Sequence, residues 1–155
     1  MKSILLAALL LGGSALAAHA DRFTFKAAGT EPNVVMVTGD DGKPIGGVFL
    51  TGTADTDMAS GKKLRQAYNC EEHTALSGGI FDYLGVCKVT DEAGAFYELF
   101  GCNPTNKDRT ESDCWAGATG TGGAYAGKHG RVTWHSKPSA DGKSGESWGE
   151  GAWND

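Results

Sequence analysis

Hydrophobic and polar residues alternate over short runs in this chain, and after residue 20 no segment keeps a helical 3.6-residue period. Residues 22–26 read Arg, Phe, Thr, Phe, Lys, the period-two mark of a half-buried strand. Residues 34–38 are β-rich, residues 39–44 carry turn chemistry, and residues 48–53 resume the pattern, which predicts a hairpin. Residues 55–61 are polar and read as a loop. A strand follows over 64–72, a connection over 75–78, a long strand over 80–89, a turn over 91–94 and a return over 96–102. Residues 103–113 are loop-like, and 115–125 read as a Gly/Thr-rich strand with bulges. Residues 130–135 alternate again, 136–145 form a second loop, and 147–153 make a glycine-diluted last strand. About eight short strands joined by turns predict an all-β fold. The expected architecture is an antiparallel eight-stranded barrel, with a β-sandwich as the alternative.

A turn over residues 91–94 also sets a register. Cys87 then faces Glu98, Tyr83 faces Cys102 and Val89 faces Phe96. Opposed residues share a face. That face collects Phe81, Tyr83, Gly85, Cys87 and Val89 with Phe96, Glu98, Phe100 and Cys102, and the preceding strand adds Leu64, Gln66, Tyr68 and Cys70. Cysteine and aromatic side chains favour the interior. The expected ligand pocket is therefore lined by Tyr68, Phe81, Tyr83, Phe96, Glu98 and Phe100. The opposite face, with Ile80, Leu84, Val86, Tyr97 and Leu99, is apolar too. It predicts a covering element or a homo-oligomer contact.

Glu98 among rings is the one candidate catalytic residue. Desolvation raises the pKa of such a carboxyl, which suits it to acid–base chemistry or to holding a ligand. The plainer alternatives place it in water at a barrel mouth, or paired with Arg65 or Arg131.

Composition sharpens the setting. Lys2, the apolar run 4–11 and Ala18-His19-Ala20 before Asp21 have the form of a short, bacterial-looking secretory signal. Residues 1–20 are thus expected to be removed, leaving residues 21–155 as a single β-barrel domain, periplasmic or secreted. The signal is too short to cross a bilayer, and no later segment is apolar enough to do so. The remainder carries 13 basic and 19 acidic side chains, a poor match to a nucleic-acid backbone. Its 22 glycines disfavour long helices and suit turns and sheet curvature. Four cysteines, at 70, 87, 102 and 114, favour two disulfides in an exported chain. Three connectivities are open, and Cys70–Cys87 with Cys102–Cys114 is the preferred one.

Several motifs fail on context. Gly145-Glu146-Ser147-Trp148-Gly149 matches a nucleophile elbow in letters, but no helix follows it and no His lies beyond Ser147. Gly142-Lys143-Ser144 lacks the upstream glycine of a P-loop, and Gly120-Thr121-Gly122 has Tyr125 where a dinucleotide fingerprint needs glycine. His73, His129 and His135 do not have metal-ligand spacing, and Asp55 and Asp57 lack the glycine and closing Glu of a calcium loop. No metal and no cofactor is expected.

One stretch is more specific. Gly120-Thr121-Gly122, Tyr125 and Gly127, followed by Gly130, Val132 and Thr133, resembles a segment of the allene oxide cyclase/dirigent-type barrel families. The turn Val89-Thr90-Asp91-Glu92-Ala93-Gly94 and the closing Gly149-Glu150-Gly151-Ala152-Trp153 look similar as well. The resemblance implies an eight-stranded barrel with an internal pocket, often assembled as dimers or trimers. Relatives hold a small hydrophobic molecule and guide its cyclisation or coupling without a cofactor, by restricting its shape. The four cysteines depart from the plant enzymes. Three functions follow as expectations. The first is binding of a small hydrophobic molecule or a partner protein. The second is a cofactor-free cyclase or isomerase, with Glu98 as acid or base and Tyr68 and Tyr83 orienting the substrate. The third is a structural or inhibitory envelope protein.

Overall fold

The computed structural model describes residues 20–39, 42, 44–75 and 79–154. The expected signal (apart from Ala20), Asp40, Asp41 and Lys43 of the first turn, and residues 76–78 of the connection lie outside the described residues. Eight strands run in chain order: β1 (Asp21–Thr38), β2 (Pro44–Met58), β3 (Lys63–Thr74), β4 (Tyr83–Asp91), β5 (Gly94–Pro104), β6 (Ser112–Gly123), β7 (His129–Pro138) and β8 (Ser144–Asn154). Each pairs antiparallel with its neighbours in sequence, and β8 returns to β1, so the sheet closes into a barrel. The sandwich alternative is not adopted.

The register derived from the 91–94 turn holds: Cys87 pairs with Glu98, Tyr83 with Cys102 and Val89 with Phe96. Asp91 fixes this turn, its Oδ1 accepting the backbone N–H of Ala93 at 2.7 Å and of Gly94 at 3.1 Å. Cys70 stands opposite Cys87, and Cys102 opposite Cys114; both pairs are disulfide-bonded. The bridges close loops with sequence separations of 17 and 12, each worth about 3 kcal/mol in the chain-entropy picture.

Two boundaries differ from the pattern-based expectation. The runs 22–26 and 34–38 belong to one strand, β1, interrupted by an irregularity between Thr30 and Asn33. Residues 55–58 are strand, not loop. Their polarity is satisfied across the sheet: Asp55 binds Arg65 at 2.8 Å, Asp57 binds Lys63 at 3.1 Å, and inward-facing Thr56 donates to Gln66 Oε1 at 2.8 Å.

Glycine makes room for rings inside. Gly52 opposes Tyr68, Gly85 opposes Phe100 and Gly151 opposes Phe23. A Cβ at any of the three would collide with its partner's ring. The aromatic side chains therefore reach across the neighbouring strand, and a narrow barrel accommodates them.

One end of the barrel is filled. Phe96, Tyr125 and Trp153 pack as a three-ring cluster, with centroid separations of 5.0, 5.0 and 5.1 Å. Below it, Tyr125 donates its hydroxyl to Asp91 Oδ2 at 2.6 Å, and Gln66 Nε2 donates to the same oxygen at 2.9 Å. Gln66 in turn accepts from Thr56, so both ends of this buried amide have a partner. Burial and the Asp91 carboxylate both push the Tyr125 phenol far above its ordinary pKa, which keeps it a hydrogen-bond donor.

Candidate functional site

Above the three-ring plug the barrel is hollow. The cavity holds about 310 Å3 between walls that include Phe25, Leu50, Tyr68, Phe100 and Trp134. Such a volume lies at the small end of ligand pockets, which run from about 300 to about 1,000 Å3. Its rim is more polar: Glu72, Ser112, Ser136 and Ser147 face inward there, with Tyr83 and Arg109. The plug at one end and this rim at the other give the hollow a single mouth.

Glu98 sits deep in the hollow. Its strand neighbours across the sheet are Cys87 and Ala118, so neither side offers it a charge. Arg65 and Arg131, the two cations that could have paired with it, are on the outer wall. Arg65 is committed to Asp55, and Arg131 lines grooves outside the barrel. The surface Glu98 keeps faces the cavity. Burial alone raises its carboxyl from 4.5 to about 7, with no hydrogen bond or charge offsetting the desolvation. Near neutral pH the group is thus poised between its two protonation states. Tyr68, across the hollow, has its phenol pKa raised by burial as well.

Arg109 organises the mouth. It lies in the loop between β5 and β6 with a left-handed backbone, φ 56°. Its guanidinium donates to Tyr83 Oη at 2.9 and 3.2 Å and to Asp82 Oδ2 at 3.0 Å. The same group lies 5.2 Å from the centre of the Tyr83 ring. The Cys102–Cys114 disulfide ties off the base of this loop. Sequence reading missed Arg109, because a lone arginine in a polar segment carries no periodic signal. The disulfide closing around it was the only hint.

Of the six expected pocket residues, Tyr68, Tyr83, Glu98 and Phe100 line the hollow together. Phe96 points inward but belongs to the plug, packed against Tyr125 and Trp153. Phe81 is outside. β4 begins only at Tyr83, and residues 80–82 bend, so the alternation does not extend back to Phe81. Its ring covers Gly101 on the outer wall and lies 6.1 Å from Trp115.

A larger hollow of about 730 Å3 is an open trough on that outer wall, floored by Leu84, Val86, Leu99, Trp115 and Gly117. It is the wider space, but the barrel interior encloses its contents and carries the buried carboxyl, so the interior is the better candidate for chemistry. No protein-family model matches the chain, and no curated protein matches it.

Proposed function

We propose that this protein is a binding barrel that holds one small, largely apolar molecule in its interior. The observation that carries this reading is the aromatic-walled hollow left open between the Phe96–Tyr125–Trp153 plug and the Arg109 rim. A barrel that served only as a rigid surface would gain stability by filling that space, since empty apolar volume costs contacts. The two disulfides and the signal-like first twenty residues support export to the periplasm or the medium. Native mass spectrometry of the protein purified without denaturation from its own host is the direct test. A small adduct released on unfolding is expected; a bare polypeptide mass that also takes up no apolar dye would sink the reading.

Glu98 favours a second reading. A carboxyl near pKa 7 beside a bound molecule suits general acid–base work, as in a cofactor-free cyclase or isomerase of the allene oxide cyclase-like type. Under that reading the molecule released from Glu98→Gln protein is the unconverted form of the one released from the parent. An identical molecule in both would remove catalysis from the account.

Self-association belongs to the same proposal. Leu99 is 70% exposed, with Val86 and Gly117 directly beside it on the flanking strands. A two-fold axis along β5 would set Val86 of one copy against Gly117 of the other, a bulky residue against a gap. Leu99→Arg is expected to convert a dimer to a monomer in sedimentation velocity, with the circular dichroism spectrum unchanged. A parent that sediments as a monomer at high concentration overturns this.

A further inference from the structure

We propose that the interior selects an apolar cation: a molecule with a hydrocarbon or aromatic body and one basic amine, whose ammonium group pairs with Glu98. This rests on the binding reading above and narrows it to a ligand class. The inventory of charge inside the barrel carries the argument. Among the described residues, the titratable or charged groups that face the hollow are Tyr68 and Glu72 from β3, Tyr83 from β4, Glu98 from β5, and Arg109 from the loop after β5. Among the described residues, strands β1, β2, β6, β7 and β8 contribute none to its lining. Arg109 is held at the rim by Asp82 and Tyr83, so it does not serve as the counter-ion deep inside.

A buried carboxylate without a partner is among the most costly groups a fold can carry. A ligand that needed only a neutral hydrogen-bond donor could use the Tyr68 hydroxyl, which lines the same hollow. What the carboxylate adds is charge. An ammonium group supplies the missing counter-ion, and the rings of Phe25, Phe100 and Trp134, which line the same hollow, suit a cation and its apolar body alike. The chain's net charge of −5 works in the same direction at long range.

The proposal fixes the sign of the pH dependence. Glu98 must be ionised to pair with an ammonium. Below its apo pKa of about 7, the amine has to displace a proton, so affinity falls roughly tenfold per unit of acidification. A neutral acceptor, such as a ketone, would instead be bound by protonated Glu98 and would lose affinity above that pH.

Three probes of similar size separate the cases: naphthylethylamine, naphthylacetone and propylnaphthalene. Their binding to the intact, disulfide-bonded protein is followed by naphthalene fluorescence and calorimetry from about pH 5 to about pH 9. The expected result is that the amine binds tightest, that its affinity falls on acidification below neutrality, and that Glu98→Gln weakens it about a hundredfold while leaving the hydrocarbon unchanged. Equal binding of all three, or a ketone that binds tightest and improves on acidification, overturns the cation proposal and leaves the binding barrel standing. Failure of all three to bind overturns both. The parent's pH profile reads the sign without depending on the variant.

Discussion

Glu98→Gln is expected to be as stable as the parent near pH 4 and more stable by roughly 3 kcal/mol above pH 8. The carboxyl titrates at about 7 when folded and at 4.5 when exposed. Below 4.5 both states hold the proton, and burial of a neutral acid costs little. Between 4.5 and 7 the unfolded chain releases its proton while the folded chain keeps it, so stability declines as pH rises through this window. Above 7 the whole difference is in place, about 1.4 kcal/mol for each pH unit between the two values. Glutamine has no proton to lose and is spared the decline. Thermal unfolding of both proteins near pH 4 and near pH 8 gives the comparison, in the absence of ligand. A constant difference at both pH values, or an NMR titration of the Glu98 carboxyl near 4.5, would show that the hollow is wetter than its walls suggest.

Phe96→Ala is expected to cost about 3–5 kcal/mol, the range for removing a buried ring. Phe96 is 3% exposed and meets Tyr125 and Trp153 edge-on at 5.0 Å. Neither neighbour can move into the space easily. Tyr125 is fastened to Asp91, which also holds Gln66 and the β4–β5 turn, and Trp153 is held in the β8 strand paired to β1. The vacated volume therefore persists as a void. Urea unfolding measures the loss; a change under about 1 kcal/mol would mean that the plug collapses around the gap.

Much of the barrel was legible in the chain because its hairpins are short. The turn at Asp91–Gly94 determined which residues of β4 and β5 oppose one another, and that in turn put Cys87, Glu98 and Phe100 on one side. The disulfide pairs follow the same parity. Legibility failed where alternation breaks. Residues 80–82 bend before β4, which takes Phe81 outside although its number is odd like that of Tyr83. Residues 55–58 looked like a loop because their outward neighbours are charged, and only the opposing Lys63 and Arg65 reveal a strand. The Gln66–Asp91–Tyr125 chain was beyond reach: its members are 25 and 34 residues apart and meet only once the barrel is shut. Arg109 escaped for a similar reason.

The seam between β1 and β8 has a consequence for how the molecule comes into being. Asp21 lies opposite Trp153, so the beginning and the end of the folded ribbon meet across this one seam. Every other pairing joins consecutive strands. Until residue 154 is available, a nascent chain displays two raw borders, one on β1 and one on β7, each a template for another copy. Trp153 is also part of the plug, so the seam and the stopper at the base depend on the same residue. A polypeptide cut short before Ser144 is thus expected to form an open, self-adhesive sheet without a floor rather than a smaller barrel.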